Sequence, residues 1–171
     1  MNDSILVRLL GASAIAGGAA RIASAFGTWG LGALKLEALY FGIDVALLFG
    51  LMGIYFAASE RLGFLGFFTF VMAATGIASI VGPDTKAFGI DTYQVGVVAI
   101  SLGLCLLGLW MLVQRAGSSL AGMCWVASTI VGIGGMYTGE SEFGFFAGGI
   151  LLGLGFVAGG AAALFSNPTP E

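Results

Sequence analysis

Four residues carry most of the chemistry open to this chain: Arg21, Glu37, Tyr40 and Asp44. Glu37, Tyr40 and Asp44 recur at three- and four-residue spacing, which places them on one face of a helix. Arg21 and Asp44 are the charges set furthest inside apolar stretches. Each lies about five residues from the end of its stretch, so antiparallel neighbours would hold them at similar depth. A charge at the centre of a bilayer costs about 2.5–3.5 kcal/mol on insertion scales, and less near an interface. An arginine fork matches a carboxylate, so pairing would offset that cost. The four residues define a candidate outer polar pocket that binds an ion, proton or small polar solute. The alternatives are a structural salt bridge, or an Arg21 that snorkels to the interface by itself.

Other chemistry is sparse. The chain has no histidine, which removes imidazole-ligated haem, the usual zinc sites and a Ser-His-Asp set. No HExxH, CxxC or P-loop pattern occurs. Cys105 and Cys124 fall inside apolar segments and are expected to pack rather than to form a disulfide. Asp84, Asp91, Glu140 and Glu142 form an acidic rim without metal-ligand spacing. A formal charge of −3 offers no basic patch for nucleic acid. Isolated hydroxyls such as Ser13, Thr69, Ser101, Ser128 and Thr129 are expected to bond helix carbonyls. No catalytic residue, metal or cofactor is therefore expected, and no enzymatic activity.

These residues must be positioned by membrane helices. Of 171 residues, 58% are hydrophobic and 9% charged, and mean hydropathy is +1.04. A soluble surface needs far more charge, about 25% of residues. Six apolar stretches approach the ~20 residues needed to cross a bilayer: 5–26, 38–59, 62–81, 94–114, 119–138 and 143–165. Two very short turns, Glu60-Arg61 and Arg115-Ala116-Gly117-Ser118, join antiparallel neighbours. The expectation is one all-α transmembrane domain over 1–171, a six-transmembrane-helix bundle. With both termini cytoplasmic, Arg8, Arg61 and Arg115 lie inside, as positive charge should. Trp29, Tyr40, Tyr93 and Tyr137 then mark the outer interface, and Tyr55 and Trp110 the inner one. Ala23-Ser24-Ala25 mimics a signal-cleavage site, but Arg21 sits where an uncharged end is expected, so the first stretch reads as a retained helix.

The thirty glycines suit membrane helices, whose backbones pack closely through small residues. The first span carries a row of Ala12, Ala16, Ala20 and Ser24. The last carries Gly144 with Gly148, Gly149 with Gly153, and Gly155 with Gly159. Such faces serve either a membrane-protein partner, including a second copy, or neighbours in the same bundle. The tetrapeptide FGID occurs at 41–44 and at 88–91. Asp91 fits a carboxylate at a helix N-terminus, whereas Asp44 lies too deep for that account alone. The chain broadly resembles the small polytopic proteins of bacterial inner membranes, which implies that location. The expected function is that of an accessory, scaffolding or assembly subunit acting through helix packing in the lipid bilayer, with a larger bioenergetic complex as one host. The alternative is a small transporter or channel with a vestibule at Arg21 and Asp44.

Overall fold

The computed structural model describes residues 3–27, 30–81, 86–87 and 90–165. Trp29, Asp84, Phe88, Gly89 and the tail from Asn167 lie outside the described residues. Five helices dominate: α1 (Asp3–Ala25), α2 (Ala33–Ile80), α3 (Thr92–Gln114), α4 (Ser119–Thr138) and α5 (Ser141–Leu164). All five are long and apolar enough to cross a membrane, so the architecture is that of a multi-pass helical membrane protein. Two short strands, β1 (Lys86–Ala87) and β2 (Ile90–Asp91), pair antiparallel between α2 and α3. Asp91 then caps α3, accepting a hydrogen bond from the Gln94 N–H at 3.1 Å.

Among the described residues the helix count is five rather than the expected six. The stretches 38–59 and 62–81 belong to one 48-residue element, α2. The expected turn at Glu60-Arg61 is helical, and the departure falls instead on Gly63, at φ 57° and ψ −157°. That conformation is essentially reserved for glycine. The chain doubles back there. The rings of Tyr55 and Phe70 stack with centroids 4.3 Å apart, where a straight helix would hold them about 22 Å apart. A reversal frees backbone carbonyls, and the indole N–H of Trp110 on α3 donates to the Leu62 carbonyl at 2.8 Å. Tyr55 and Trp110 are thus engaged in holding this bend.

The arms of α2 and the other helices pack in chain order, and α5 closes the arrangement against α1. Neighbours run antiparallel, because contact positions rise along one helix as they fall along the next. On α1 and α5, Gly11 meets Gly160 and Gly18 meets Gly153. On α1 and α2, Gly17 meets Ala46 and Gly50 meets Ala14. On α2 and α3, Gly76 meets Gly96 and Ala73 meets Gly103. Gly108 meets Gly122 between α3 and α4, and Gly135 meets Gly144 between α4 and α5. Side-chain hydrogen bonds pin four of these seams. Ser13 donates to the Ala46 carbonyl at 3.0 Å, Thr129 to that of Ser101 at 3.1 Å, Ser128 to that of Gly148 at 2.7 Å, and Trp110 to Leu62. The core, including Leu51, Leu62, Leu104, Leu107, Met111, Trp125 and Phe156, is fully buried. It is densest in the half of the bundle nearer Gly63, here the lower half, and extends upward through Ile43 and Ile77. The upper half holds the C-terminal end of α1 and the N-terminal ends of α3 and α5.

Two predictions follow from this backbone. A β-carbon at Gly63 meets no atom within 4 Å, so Gly63→Ala should be destabilised by torsion alone, by about 1–3 kcal/mol. Gly42, also unobstructed, provides the helical control. Equal melting temperatures of Gly63→Ala and Gly42→Ala in detergent would contradict the reversal. A β-carbon at Gly18 would lie 2.5 Å from the Gly153 carbonyl oxygen, whereas one at Gly132 meets nothing. Gly18→Ala should therefore lose about 1–3 kcal/mol to overpacking and Gly132→Ala none, read from thermal melts of the purified variants.

Candidate functional site

Above the buried core the helices enclose a cavity of about 780 Å³, within the range of about 300–1,000 Å³ typical of sites for small ligands. Every helix contributes to its wall: Arg21 from α1, Tyr40, Asp44 and Ile77 from α2, Val97 and Ser101 from α3, Thr129 and Met136 from α4, Gly149 and Leu152 from α5. Phe156 and Leu47 form part of the lower wall. Phe156 packs edge-on against Trp125 beneath it, with ring centroids 5.4 Å apart. The cavity therefore ends on a dry aromatic floor.

Arg21 and Asp44 both face this cavity, and both are half-buried. Their common depth follows from the α1–α2 seam. Gly17 abuts Ala46 and Leu47, so one turn further up α1 Arg21 is level with Ile43 on antiparallel α2. Among the described residues no ion pair within 4.0 Å joins Arg21 to Asp44. Arg21 instead leans towards α5. Its Nη1 donates to Ser24 Oγ at 3.3 Å, and Ser24 Oγ donates to the Arg21 carbonyl at 2.8 Å. A β-carbon at Gly149 would lie 3.1 Å from Nη2 of Arg21, and the nearest atoms it would meet all belong to that side chain. Gly149 is thus a recess for the guanidinium. Asp44 lies about three turns inside α2, too far in to act as a cap.

Tyr40 and Asp44 also line a smaller adjoining pocket of about 370 Å³, together with Glu37, Phe41 and Ile80. The four residues singled out by spacing are therefore divided. Arg21, Tyr40 and Asp44 share the larger cavity, and Glu37, which is exposed, lies on the outer side of the Tyr40–Asp44 wall.

The small-residue rows are also divided. On α1, Ala12 and Ala16 are exposed, Ala20 is half-buried and Ser24 is buried, while Gly11, Ala14, Gly17 and Gly18 make the close contacts. On α5, Gly144, Gly148, Gly149, Gly153, Gly155 and Gly159 are all buried, against α4, Arg21, α1, Trp125 and Ile54. Sequence reasoning did not anticipate the cavity itself, the Gly149 recess or the buried Trp125. The Trp125 indole N–H finds no acceptor among the described residues, and Gly155 makes room for its ring. Ser128 and Thr129, two adjacent hydroxyls in an apolar run, were the available signal that α4 bonds to both of its neighbours. Among the described residues no three His, Cys, Asp or Glu side chains gather where they could hold a metal.

Fold and site together define a multi-pass membrane bundle with a cavity in its upper half, closed below and flanked by Arg21 and Asp44. No family model, no curated protein and no solved structure matches the chain, so what it does must be argued from this geometry.

The Gly149 recess can be tested directly. Gly149→Val should destabilise the protein by about 1–3 kcal/mol. In an Arg21→Ala background most of that loss should vanish, because the side chain that collides is gone. Additive melting shifts in the double-mutant cycle would show that the guanidinium does not occupy the recess.

Proposed function

We propose that the chain is a binding protein or carrier of a bacterial inner membrane, taking a small ligand into the cavity from the side opposite its termini. The carrying observation is the cavity of about 780 Å³, which draws on all five helices and holds both Arg21 and Asp44. A structural ion pair would need neither such a volume nor a separation of the two charges. The closed floor of Phe156 over Trp125 favours a ligand that binds and leaves by the upper half over an always-open channel. In this reading each arm of α2, 33–62 and 64–80, makes its own crossing. Both arms reach the ~17–25 residues of a membrane span, which gives six crossings with both termini cytoplasmic.

A second reading, an accessory or assembly subunit, is favoured by one observation. Ala12 and Ala16 present small side chains on the exposed face of α1, where another membrane helix, from a partner or a second copy, could approach closely. The α5 glycines do not add to this reading, because their contacts are made inside the bundle.

Thiol labelling separates a wetted cavity from a dry one. With Cys105 and Cys124 replaced by alanine, Val97→Cys should react with a membrane-impermeant maleimide added to the outer side. Leu107→Cys, at a position with 0% exposure, should stay protected. Equal protection of both cysteines, in delipidated detergent solution as well as in reconstituted vesicles, would sink the binding reading. Oligomers by native mass spectrometry that Ala12→Phe dissociates would establish the second.

A further inference from the structure

We propose that the ligand is a zwitterionic amphiphile, taken from the bilayer through the upper seam between α3 and α4, with its charged head held between Arg21 and Asp44. This inference rests on reading the cavity as a binding site and adds the ligand class and the route of entry.

The first observation is that the cavity is chemically one-sided. Arg21, Tyr40 and Asp44 all come from α1 and α2. The α4 hydroxyls of Ser128 and Thr129 are already donating, to the carbonyls of Gly148, Ser101 and Trp125. Apart from Tyr93 and Ser101 on α3, the rest of the α3–α4 wall is uncharged and mostly apolar, with Val97, Val98, Leu102, Ile133 and Met136. A head group finds charge on one side, and a hydrocarbon tail finds apolar walls on the other.

The second observation is that the cavity breaches the bundle. On α3, Leu104 and Leu107 face the core, Gly96 and Gly103 face α2, and Gly108 faces α4. At about 100° per residue, Val98 and Leu102 point past α4 towards the outer surface. They nevertheless line the cavity, and they are 57% and 46% exposed. The two helices are pinned at Gly108–Gly122 and at the Thr129–Ser101 hydrogen bond. Above that bond, Ile133 and Met136 turn towards α3 and line the cavity, yet both are exposed, and a β-carbon at Gly132 would meet nothing within 4 Å. The space therefore continues between α3 and α4 to the surface that faces lipid.

The third observation is depth. Arg21 lies about 6 Å below the end of α1 at Ala25, in the upper half of the bundle, where the seam is open. A membrane amphiphile entering through the seam brings its head to Arg21 and Asp44 while its tail remains between α3 and α4. Because the two charges are separate and opposite, a purely anionic or purely cationic head would leave one of them uncompensated in a desolvated wall. A dipolar head answers both.

The test uses the full chain in nanodiscs made of equal parts phosphatidylethanolamine and phosphatidylglycerol, with lipids retained after release measured by native mass spectrometry. Retained lipid should be enriched in phosphatidylethanolamine several-fold over the bulk. Arg21→Gln and Asp44→Asn should each abolish the enrichment while the protein stays monodisperse. Val98→Cys, in the background lacking Cys105 and Cys124, can be folded first and then modified with a bulky maleimide. The modification should abolish retention with both charges intact. Retention in proportion to the bulk, or enrichment indifferent to Asp44→Asn, overturns the head-group assignment. Retention unaffected by blocking position 98 overturns the lateral route, as does competition by water-soluble phosphoethanolamine at equal potency. If Val97→Cys labels as expected while these lipid results fail, the binding cavity stands and only its ligand class falls. If labelling fails too, the binding reading itself falls.

Discussion

Close backbone contact at glycine is the constraint on which the structure depends. Lipid tails are as apolar as the side chains they would replace, so membrane helices gain little by hiding apolar surface and must associate through packing and hydrogen bonds. Each seam between successive helices, and that between α1 and α5, meets this requirement similarly. A glycine on one helix lies against glycine or alanine on the next, as at Gly18–Gly153, Ala73–Gly103 and Gly108–Gly122. All but two seams, α1–α5 and the bend of α2 upon itself, also carry a side-chain-to-carbonyl bond between helices. The α1–α5 seam is built of paired glycines, the bend of the Tyr55–Phe70 stack.

The cavity lies where this contact stops. Between α3 and α4 the glycine pairing is low, at Gly108 and Gly122, and the highest bond between them is that of Thr129. Above it, Ile133 and Met136 face the seam, line the cavity and remain exposed. Below it, Leu104, Leu107, Trp125 and Phe156 leave no room. The same bundle is therefore tightly packed in its lower half and hollow above, and Arg21 and Asp44, the charges set within its helices, sit in the hollow half.

Much of this was legible in the sequence. Composition identified the solvent as lipid, and helix limits at 119–138 match α4 residue for residue. Arg21 and Asp44 were recognisable as a set because a charge within an apolar run is rare for energetic reasons. The bend was misplaced because Glu60 and Arg61 look like a turn by polarity, whereas polarity does not break a helix. The backbone reversal required φ above zero, and Gly63 was one glycine among thirty. The α1 row at 12, 16 and 20 was chosen by spacing, but spacing alone does not say which of two adjacent small-residue faces turns inward. Gly11, Gly17 and Gly18 do so because they permit closer approach than alanine. The cavity could not be read at all, since it follows from how far two helices diverge, and no residue type encodes that separation.

Gly149 gives α5 a place in the order of assembly. The chain emerges with α1 first, so Arg21 enters the membrane long before the helix that accommodates its guanidinium has been made. Until α5 arrives, the arginine has its Ser24 contact and the open bilayer, the cavity lacks one wall, and Gly11 and Gly18 of α1 have no counterpart. The last helix therefore completes the partnership of the first. A chain ending after α4 would retain both charges and most of the apolar lining, but it would hold them in an open trough.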